Sequence, residues 1–296
     1  MTRLTAKDFE PEVLELFDKY VHGQLSRRDF IASATRHAVA GATGATLLAA
    51  LAPSFAAPLV AADDKRLKAG YMEYPSPQGY GKLRGYLVQP AASQGKLPAV
   101  LVVHENRGLN PHIEDITRRL ALEGFLAFAP DALFPLGGYP GDEDKARELF
   151  SRLDQAKTRA DFLAAVHILK SHPGANGKVG VVGFCYGGGM ANYLATVVPD
   201  LAAAVPFYGA QPPAADVPKI KAPLLVHDAG NDARILAGWP AYEAALKAAG
   251  ANFRHFVYPG VEHGFNNDTT PRYDEAAAKL AWQRTVDFLR QHVATS

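Results

Sequence analysis

The 296-residue chain has one cysteine, Cys185, and almost no net charge. A single thiol cannot form an internal disulfide, and it rules out a zinc cluster built from cysteines. The 31 lysines and arginines nearly balance the 30 acidic residues, so no basic surplus is present for binding nucleic acid. The sequence also lacks an apolar run that would span a bilayer comfortably, and no stable membrane association is expected. What remains is a globular chain with 48% hydrophobic residues, enough for one sizeable core.

The first 62 residues differ in composition from the rest. Residues 26–31, SRRDFI, match the twin-arginine export pattern, and the apolar stretch 38–52 follows them. This pattern predicts a leader for the twin-arginine export machinery and a periplasmic protein. The segment before the arginines is long and acidic, however, whereas export leaders usually begin positive. It also has apolar residues at helical spacing: Val13, Leu14, Leu16, Phe17 and Val21. The alternative is a folded N-terminal arm of a cytoplasmic protein, with a role in oligomer contacts.

From residue 63 onward, apolar runs alternate with helical patterns. YMEYP and LRGYLVQP, residues 71–75 and 83–90, alternate like an antiparallel pair of strands, whereas PAVLVVHE, residues 98–105, is typical of a strand covered on both faces. Five further strands are predicted: FLAFAPD, KVGVVGF, AAAVPFYG, APLLVHDAG and NFRHFVYPG. The alternation predicts one α/β domain over residues 63–296, with a mostly parallel central sheet and helices on both faces. Ligands of such sheets bind at the carboxyl ends of the strands.

Cys185 lies in GFCYG, residues 183–187, between a predicted strand and a predicted helix. Glycines suit this position because the chain reverses in a strained turn, where a Cβ would collide with a neighbouring element. Such a turn lifts the thiol above the sheet and points a helix N-terminus at it, which favours the thiolate and an oxyanion. The backbone N–H of Tyr186 is predicted to be one oxyanion donor. The alternative is a small buried cysteine in a glycine-rich turn.

A thiol nucleophile needs a base within hydrogen-bond reach, and the base needs an orienting carboxylate. Asp232 follows the predicted strand APLLVHDAG, and His263 follows the last predicted strand, so both are expected at the edge that carries Cys185. Asp228 is the rival acid, but its position at the strand end suggests that it caps the loop. The order nucleophile, acid, histidine is that of α/β-hydrolases and predicts a Cys-His-Asp triad.

Six motifs occur in order along the chain: VVHENRG, APD, GFCYGGG, GNDARI, EHGF and YDEAAAKLAWQRTVDFL. In these motifs the chain resembles the dienelactone hydrolase family of the α/β-hydrolase fold. The resemblance extends from about residue 71 to the last helix, and it is strongest to long variants with an N-terminal arm. The resemblance implies a carboxylic ester or lactone hydrolase, such as a carboxymethylenebutenolidase, which forms an acyl-enzyme and needs neither metal nor organic cofactor.

The resemblance also implies a role for Glu105, which contacts the resting thiol and takes its proton when substrate arrives. A carboxylate at the strand edge close to a thiol can act as a base; the alternative is an exposed loop glutamate. The backbone N–H of Asn106 would then complete the oxyanion hole with that of Tyr186.

The expected partner is a small ester or lactone. Family members that act on dienelactones hold the substrate carboxylate with arginine, one of them four residues after the catalytic histidine, where this chain has Asn267. Arg107, Arg234 and Arg272 are the candidates to replace it. A rival function from another class is a non-catalytic binding or thiol-sensing protein of the same fold, in which Cys185 is oxidised rather than acylated.

Overall fold

The structure, a computed structural model, describes residues 3–38 and 42–294. Residues 39–41 of the apolar stretch predicted at 38–52 lie outside the described residues. The chain begins with three helices, α1 (Pro11–Val21), α2 (Arg27–Ala34) and α3 (Gly44–Leu51). Their apolar side chains form a small cluster of their own, in which Phe30 is fully buried. Four of the five apolar residues predicted on α1 are buried there, and Leu16 packs against the same cluster. We call residues 3–38 and 42–62 the N-terminal arm.

One eight-stranded sheet forms the centre of the remaining chain. Its strands are β1 (Leu67–Ser76), β2 (Gly81–Pro90), β3 (Leu97–Val103), β4 (Leu126–Pro130), β5 (Ala175–Phe184), β6 (Ala203–Phe207), β7 (Leu224–Ala229) and β8 (Phe253–Tyr258). The spatial order is β1-β2-β4-β3-β5-β6-β7-β8. Strand β2 runs antiparallel to β1 and β4, and the pairings from β4 to β8 are parallel. The predicted mostly parallel sheet and its antiparallel first pair are confirmed.

Helices cover both faces of the sheet. They are α4 (Pro111–Leu122), α5 (Glu143–Ser151), α6 (Gln155–Ser171), α7 (Tyr186–Val197), α8 (Ala233–Leu236), α9 (Trp239–Ala248) and α10 (Glu275–Val293). Helices α6, α7 and α9 bury side chains in the core on one face, and α4 and α10 do so on the other. Along β3 successive residues alternate between the two cores, with Leu101 and Val103 in one and Val102 in the other. A strand buried on both faces is therefore apolar throughout, which is why PAVLVV has no polar positions.

Local signals account for some helix ends and fail at others. Helix α4 begins where Asn110 accepts a hydrogen bond from the N–H of Ile113 at 3.2 Å and Pro111 takes the first helical position. It ends before Gly124, whose φ of 97° suits glycine. No helix is predicted between β7 and β8, yet α8 and α9 lie there. Helix α9 follows Gly238, which offers no side-chain cap, so Pro240 in its first turn is the signal at its start.

No helix in the described ranges 3–38 and 42–294 is long and apolar enough to cross a membrane.

Candidate active site

The turn between β5 and α7 puts Cys185 in a strained conformation. Its φ is 56° and its ψ is −112°, a region that residues with a Cβ rarely adopt. A Cβ added at Gly183 would lie 1.9 Å from the carbonyl oxygen of Gly187, and one added at Gly187 would lie 2.2 Å from that of Val103. Both positions therefore exclude every residue except glycine. The steric reason predicted for the two glycines is confirmed.

His263 and Asp232 meet at the carboxyl edge of the sheet. The Nδ1 atom of His263 lies 2.5 Å from Oδ2 of Asp232, and both side chains are buried. Asp232 also accepts from the N–H of Ile235 at 3.2 Å, which fixes the carboxylate at the start of α8. The rival Asp228 lies 2.9 Å from Nε2 of His255 instead. A ring nitrogen of His263 lies within 4.8 Å of the Cys185 sulfur, so the three predicted triad residues are close together.

A second histidine, His22, also faces the thiol. Its Nε2 lies 3.5 Å from Sγ of Cys185, and its ring centroid is 4.7 Å from that of His263. Its Nδ1 lies 2.7 Å from the main-chain oxygen of Asp18 and 3.3 Å from the Asp18 carboxylate. No sequence motif predicts this residue as part of the site. The four-residue spacing of Asp18 and His22 at the end of a predicted helix could have identified the pair, but not its neighbour.

Charges in this site favour a thiolate at Cys185. Burial raises the thiol pKa, but His263 and His22 outweigh burial and lower it to about 5. Burial lowers the pKa of His22, but hydrogen bonds to Asp18 and Cys185 outweigh it and raise the pKa to about 10. For His263, burial again opposes the charge, while the thiolate and Asp232 raise the pKa. The resting site thus stabilises a thiolate beside an imidazolium.

Glu105 lines the same cavity as Cys185, but its hydrogen bond goes to Asn267 and not to the thiol. Its Oε2 accepts a hydrogen bond from Nδ2 of Asn267 at 3.1 Å. Within the described part of the chain, no hydrogen bond joins Glu105 to Cys185, and the thiol instead faces His22 and His263. The resting contact implied by the resemblance therefore does not take the form of a Glu105–thiol hydrogen bond among the described residues. Asn267, at the position expected for an arginine, holds the carboxylate of Glu105.

Of the two residues whose backbone N–H groups are predicted as oxyanion donors, one follows the thiol directly and the other lines the same cavity. Tyr186 is the first residue of α7, so its N–H has no acceptor within the helix. Asn106 follows β3 and lines the cavity together with Cys185. Its side-chain amide donates to the main-chain oxygen of Val21 at 2.9 Å, which attaches the arm to this loop.

The three candidate arginines all have acidic partners. Arg107 is buried and lies 3.6 Å from Glu143, and it also donates to the side chain of Asn106. The Nε of Arg234 lies 3.8 Å from Asp18, and a terminal nitrogen of Arg272 lies 3.7 Å from the same carboxylate. In this structure an acidic residue of the arm therefore occupies the space between Arg234 and Arg272.

A cavity of about 410 Å³ lies between the arm and the α/β domain, next to their direct contacts. The arm contributes apolar side chains including Phe17, Leu48 and Phe55, and the domain contributes Cys185 and His263. A volume of this size holds a small organic molecule. The cavity can therefore hold a small molecule beside the thiol.

Three atoms of the site have the chemistry of soft metal ligands. Ring nitrogens of His22 and His263 and the sulfur of Cys185 lie within 4.8 Å of one another. A guanidinium nitrogen of Arg234, however, lies 3.0 Å from Nε2 of His22 and 3.3 Å from Nδ1 of His263. This positive charge disfavours a cation between the two rings.

One protein family matches most of the chain, and a second matches its first 40 residues. Residues 83–293 match the dienelactone hydrolase family, and residues 1–40 match a second family, described as YqhI-like. "Putative hydrolase fragment YghX" of Escherichia coli (strain K12) is 54% identical over 113 residues, which are 38% of this chain and 97% of that protein. "Putative carboxymethylenebutenolidase" of Salmonella typhi is 36% identical over 244 residues, covering 77% of this chain and 89% of that one. The crystal structure of "Putative Dienelactone Hydrolase from Klebsiella pneumoniae subsp. pneumoniae MGH 78578" is similar with a TM-score of 0.68 and 31% identity, covering 76% of this chain and all of that chain.

Proposed function

Because the chain belongs to the dienelactone hydrolase family and is a hydrolase of that type, we propose that Cys185 is the nucleophile of a carboxylic ester or lactone hydrolase. The observation that carries the proposal is the 2.5 Å contact between His263 and Asp232 beside a strained elbow that carries the only thiol. A buried carboxylate bonded to Nδ1 orients the imidazole and leaves its other nitrogen available for the reaction. That nitrogen, Nε2 of His263, is buried without a hydrogen-bond partner within the described residues, as expected of a base that awaits substrate.

In the proposed reaction the thiolate of Cys185 attacks the carbonyl carbon of the substrate. The backbone N–H groups of Tyr186 and Asn106 stabilise the oxyanion that forms. The C–O bond then breaks, the departing oxygen takes a proton from the imidazolium that lies beside the sulfur and leaves as an alcohol, and an acyl-enzyme remains as a thioester. Water attacks the thioester and gives a proton to His263, and the thiolate departs as the acid product is released. The net reaction consumes one ester and one water and needs no redox partner.

The charge pattern of the cavity favours an uncharged acyl group. The arginines among the described residues that line it are each paired with an acid: Arg27 with Asp144 at 2.5 Å, Arg107 with Glu143 and Arg272 with Asp18. A substrate carboxylate would have to displace one of these partners. We therefore propose a small neutral ester or lactone as the substrate class, in preference to a dienelactone that carries a carboxylate.

Release of p-nitrophenol from short-chain p-nitrophenyl esters tests the proposal. We expect Cys185→Ala and His263→Ala to reduce turnover by at least about 100-fold while circular dichroism shows an intact fold. The matched control is His37→Asn, because His37 lies on the arm away from the cavity.

A binding or thiol-sensing protein of the same fold predicts a different result. Its wild type would hydrolyse these esters no faster than Cys185→Ala, and mild peroxide would change ligand binding instead. Equal turnover of the wild type and Cys185→Ala would refute the nucleophile assignment.

A further inference from the structure

The N-terminal arm brings a histidine to the reactive sulfur, which is unexpected for a segment outside the α/β domain. His22 follows the last residue of α1, and 163 residues separate it from Cys185 along the chain. Its Nε2 lies 3.5 Å from the sulfur, and its side chain is 14% exposed. A contact this close to the reacting atom can take part in proton transfer.

Asp18 orients His22 through its main-chain oxygen, which lies 2.7 Å from Nδ1, and its carboxylate lies close to the same nitrogen. In both pairs Nδ1 faces an aspartate, at 3.3 Å from the Asp18 carboxylate and 2.5 Å from that of Asp232. The other nitrogen of each ring, Nε2, is therefore available on the side of the thiol. The site consequently holds two aspartate–histidine pairs around one sulfur atom.

Several contacts fix the arm immediately before His22. The main-chain oxygen of Val21 accepts from Asn106 at 2.9 Å, and that of Tyr20 accepts from Arg147. The guanidinium of Arg147 also lies over the Tyr20 ring, 3.9 Å from its centroid. The α/β domain thus holds the chain directly before His22 in place. The position of His22 beside the sulfur therefore does not depend on helix α1 alone.

The arm covers the site without filling it. The cavity of about 410 Å³ remains between them, with Cys185 and His263 on one wall and Phe17 on the other. A segment that served only to block the nucleophile would occupy this space. The arm instead lines one side of the cavity and leaves room for an acyl group.

We propose that His22 is a second catalytic histidine, which protonates the leaving alcohol, while His263 activates water. This inference rests on the proposed hydrolase function and deepens it. A thiolate is a far better leaving group than an alkoxide, so the tetrahedral intermediate returns to the ester unless the departing oxygen receives a proton. His22 gives that proton as the C–O bond breaks, and Cys185 keeps the acyl group as a thioester. The acid product later returns a proton to His22, and the proton that His263 took from water passes to solvent.

The charges that face His22 divide the two roles. Burial opposes the imidazolium form of His22, but Asp18 and the thiolate of Cys185 outweigh it. The guanidinium of Arg234 lies 3.0 Å from Nε2, and the ring of His263 faces that of His22. Once the thiolate has become a thioester, it no longer raises the pKa of His263. The Nε2 atom of His263, which has no hydrogen-bond partner among the described residues, can then accept a proton from water.

The test compares kcat/KM for p-nitrophenyl acetate and ethyl acetate in wild type, His22→Asn and the control His37→Asn. p-Nitrophenolate leaves without being protonated, whereas ethoxide must receive a proton in order to leave. We expect His22→Asn to lose at least about 100-fold on ethyl acetate but only a few-fold on p-nitrophenyl acetate. Asp18→Asn should show a smaller loss with the same preference, and it serves as the test if His22→Asn fails to fold.

Three outcomes would overturn the inference. Equal losses on both esters would make His22 structural, and faster hydrolysis by His22→Asn would make the arm inhibitory. In both cases the proposed function stands, because wild type and Cys185→Ala still differ. If the wild type hydrolyses neither ester, the proposed function and the role of His22 are refuted together.

Discussion

The protonation state of Cys185 can be measured directly, because it is the only thiol in the chain and its side chain is partly exposed. The two histidines lower its pKa from 9.0 to about 5, outweighing the effect of burial. A lowered pKa means that the thiolate persists as the pH falls from 9 and is lost only below about 5. We therefore expect the rate of reaction with a neutral aromatic disulfide to have its pH midpoint near 5.

The pH midpoint of the labelling rate tests this prediction, whereas the rate at pH 7 does not. At pH 7 a thiol of pKa about 5 is ~99% thiolate, and one of pKa 9.0 is ~1% thiolate, a difference of roughly 100-fold. Thiolate nucleophilicity falls with pKa, with a Brønsted coefficient of about 0.4–0.5, so the more acidic thiolate is roughly 40- to 100-fold less reactive. The two effects nearly cancel, and the rate at neutral pH does not distinguish the two states.

The assay measures labelling rates from pH 4 to pH 10 for wild type, His263→Asn and the control His37→Asn. His263→Asn should move the midpoint upward because it removes one of the two histidines that stabilise the thiolate. A wild-type midpoint between 8 and 9 would refute the reasoning. It would instead favour the resting arrangement in which Glu105 holds the thiol neutral.

Three further outcomes are expected. Glu105→Gln should change ester turnover by less than about tenfold, because the resting thiolate has no proton for Glu105 to accept and Glu105 bonds to Asn267 instead; a larger loss with an unchanged thermal midpoint would show that Glu105 takes the thiol proton. Asp232→Asn should reduce kcat by about 10²–10⁴-fold with the fold retained, because the carboxylate no longer orients His263, and a loss of less than tenfold would contradict its role in the triad. Replacing Arg27 and Arg28 by lysine should retain an exported protein inside the cells of its native host, and fractionation that finds the full-length wild type in the cytoplasm would favour the folded-arm alternative.

Sequence alone predicts the sheet and the elbow because both depend on short-range patterns. Continuous apolar runs identify strands covered on both faces, and the glycines at 183 and 187 indicate a turn with no room for a Cβ. The chain order of Cys185, Asp232 and His263 follows from loops at one edge of a parallel sheet, since such loops converge there whatever their length.

Tertiary structure decided which groups share that edge. Asp228 and Asp232 are both acidic and only four residues apart, and the position of His255 beside Asp228 leaves Asp232 for His263. Asn267 faces Glu105, a partner 162 residues away that no local pattern indicates.

His22 shows this limit most clearly. Helical periodicity predicts that α1 has an apolar face, because side chains three and four residues apart lie together on a helix. Periodicity cannot say against which surface that face packs. The position of His22 beside Cys185 depends on contacts between the arm and loops more than 80 residues away, such as that of Val21 with Asn106. Those contacts exist only once the sheet has brought its loops together.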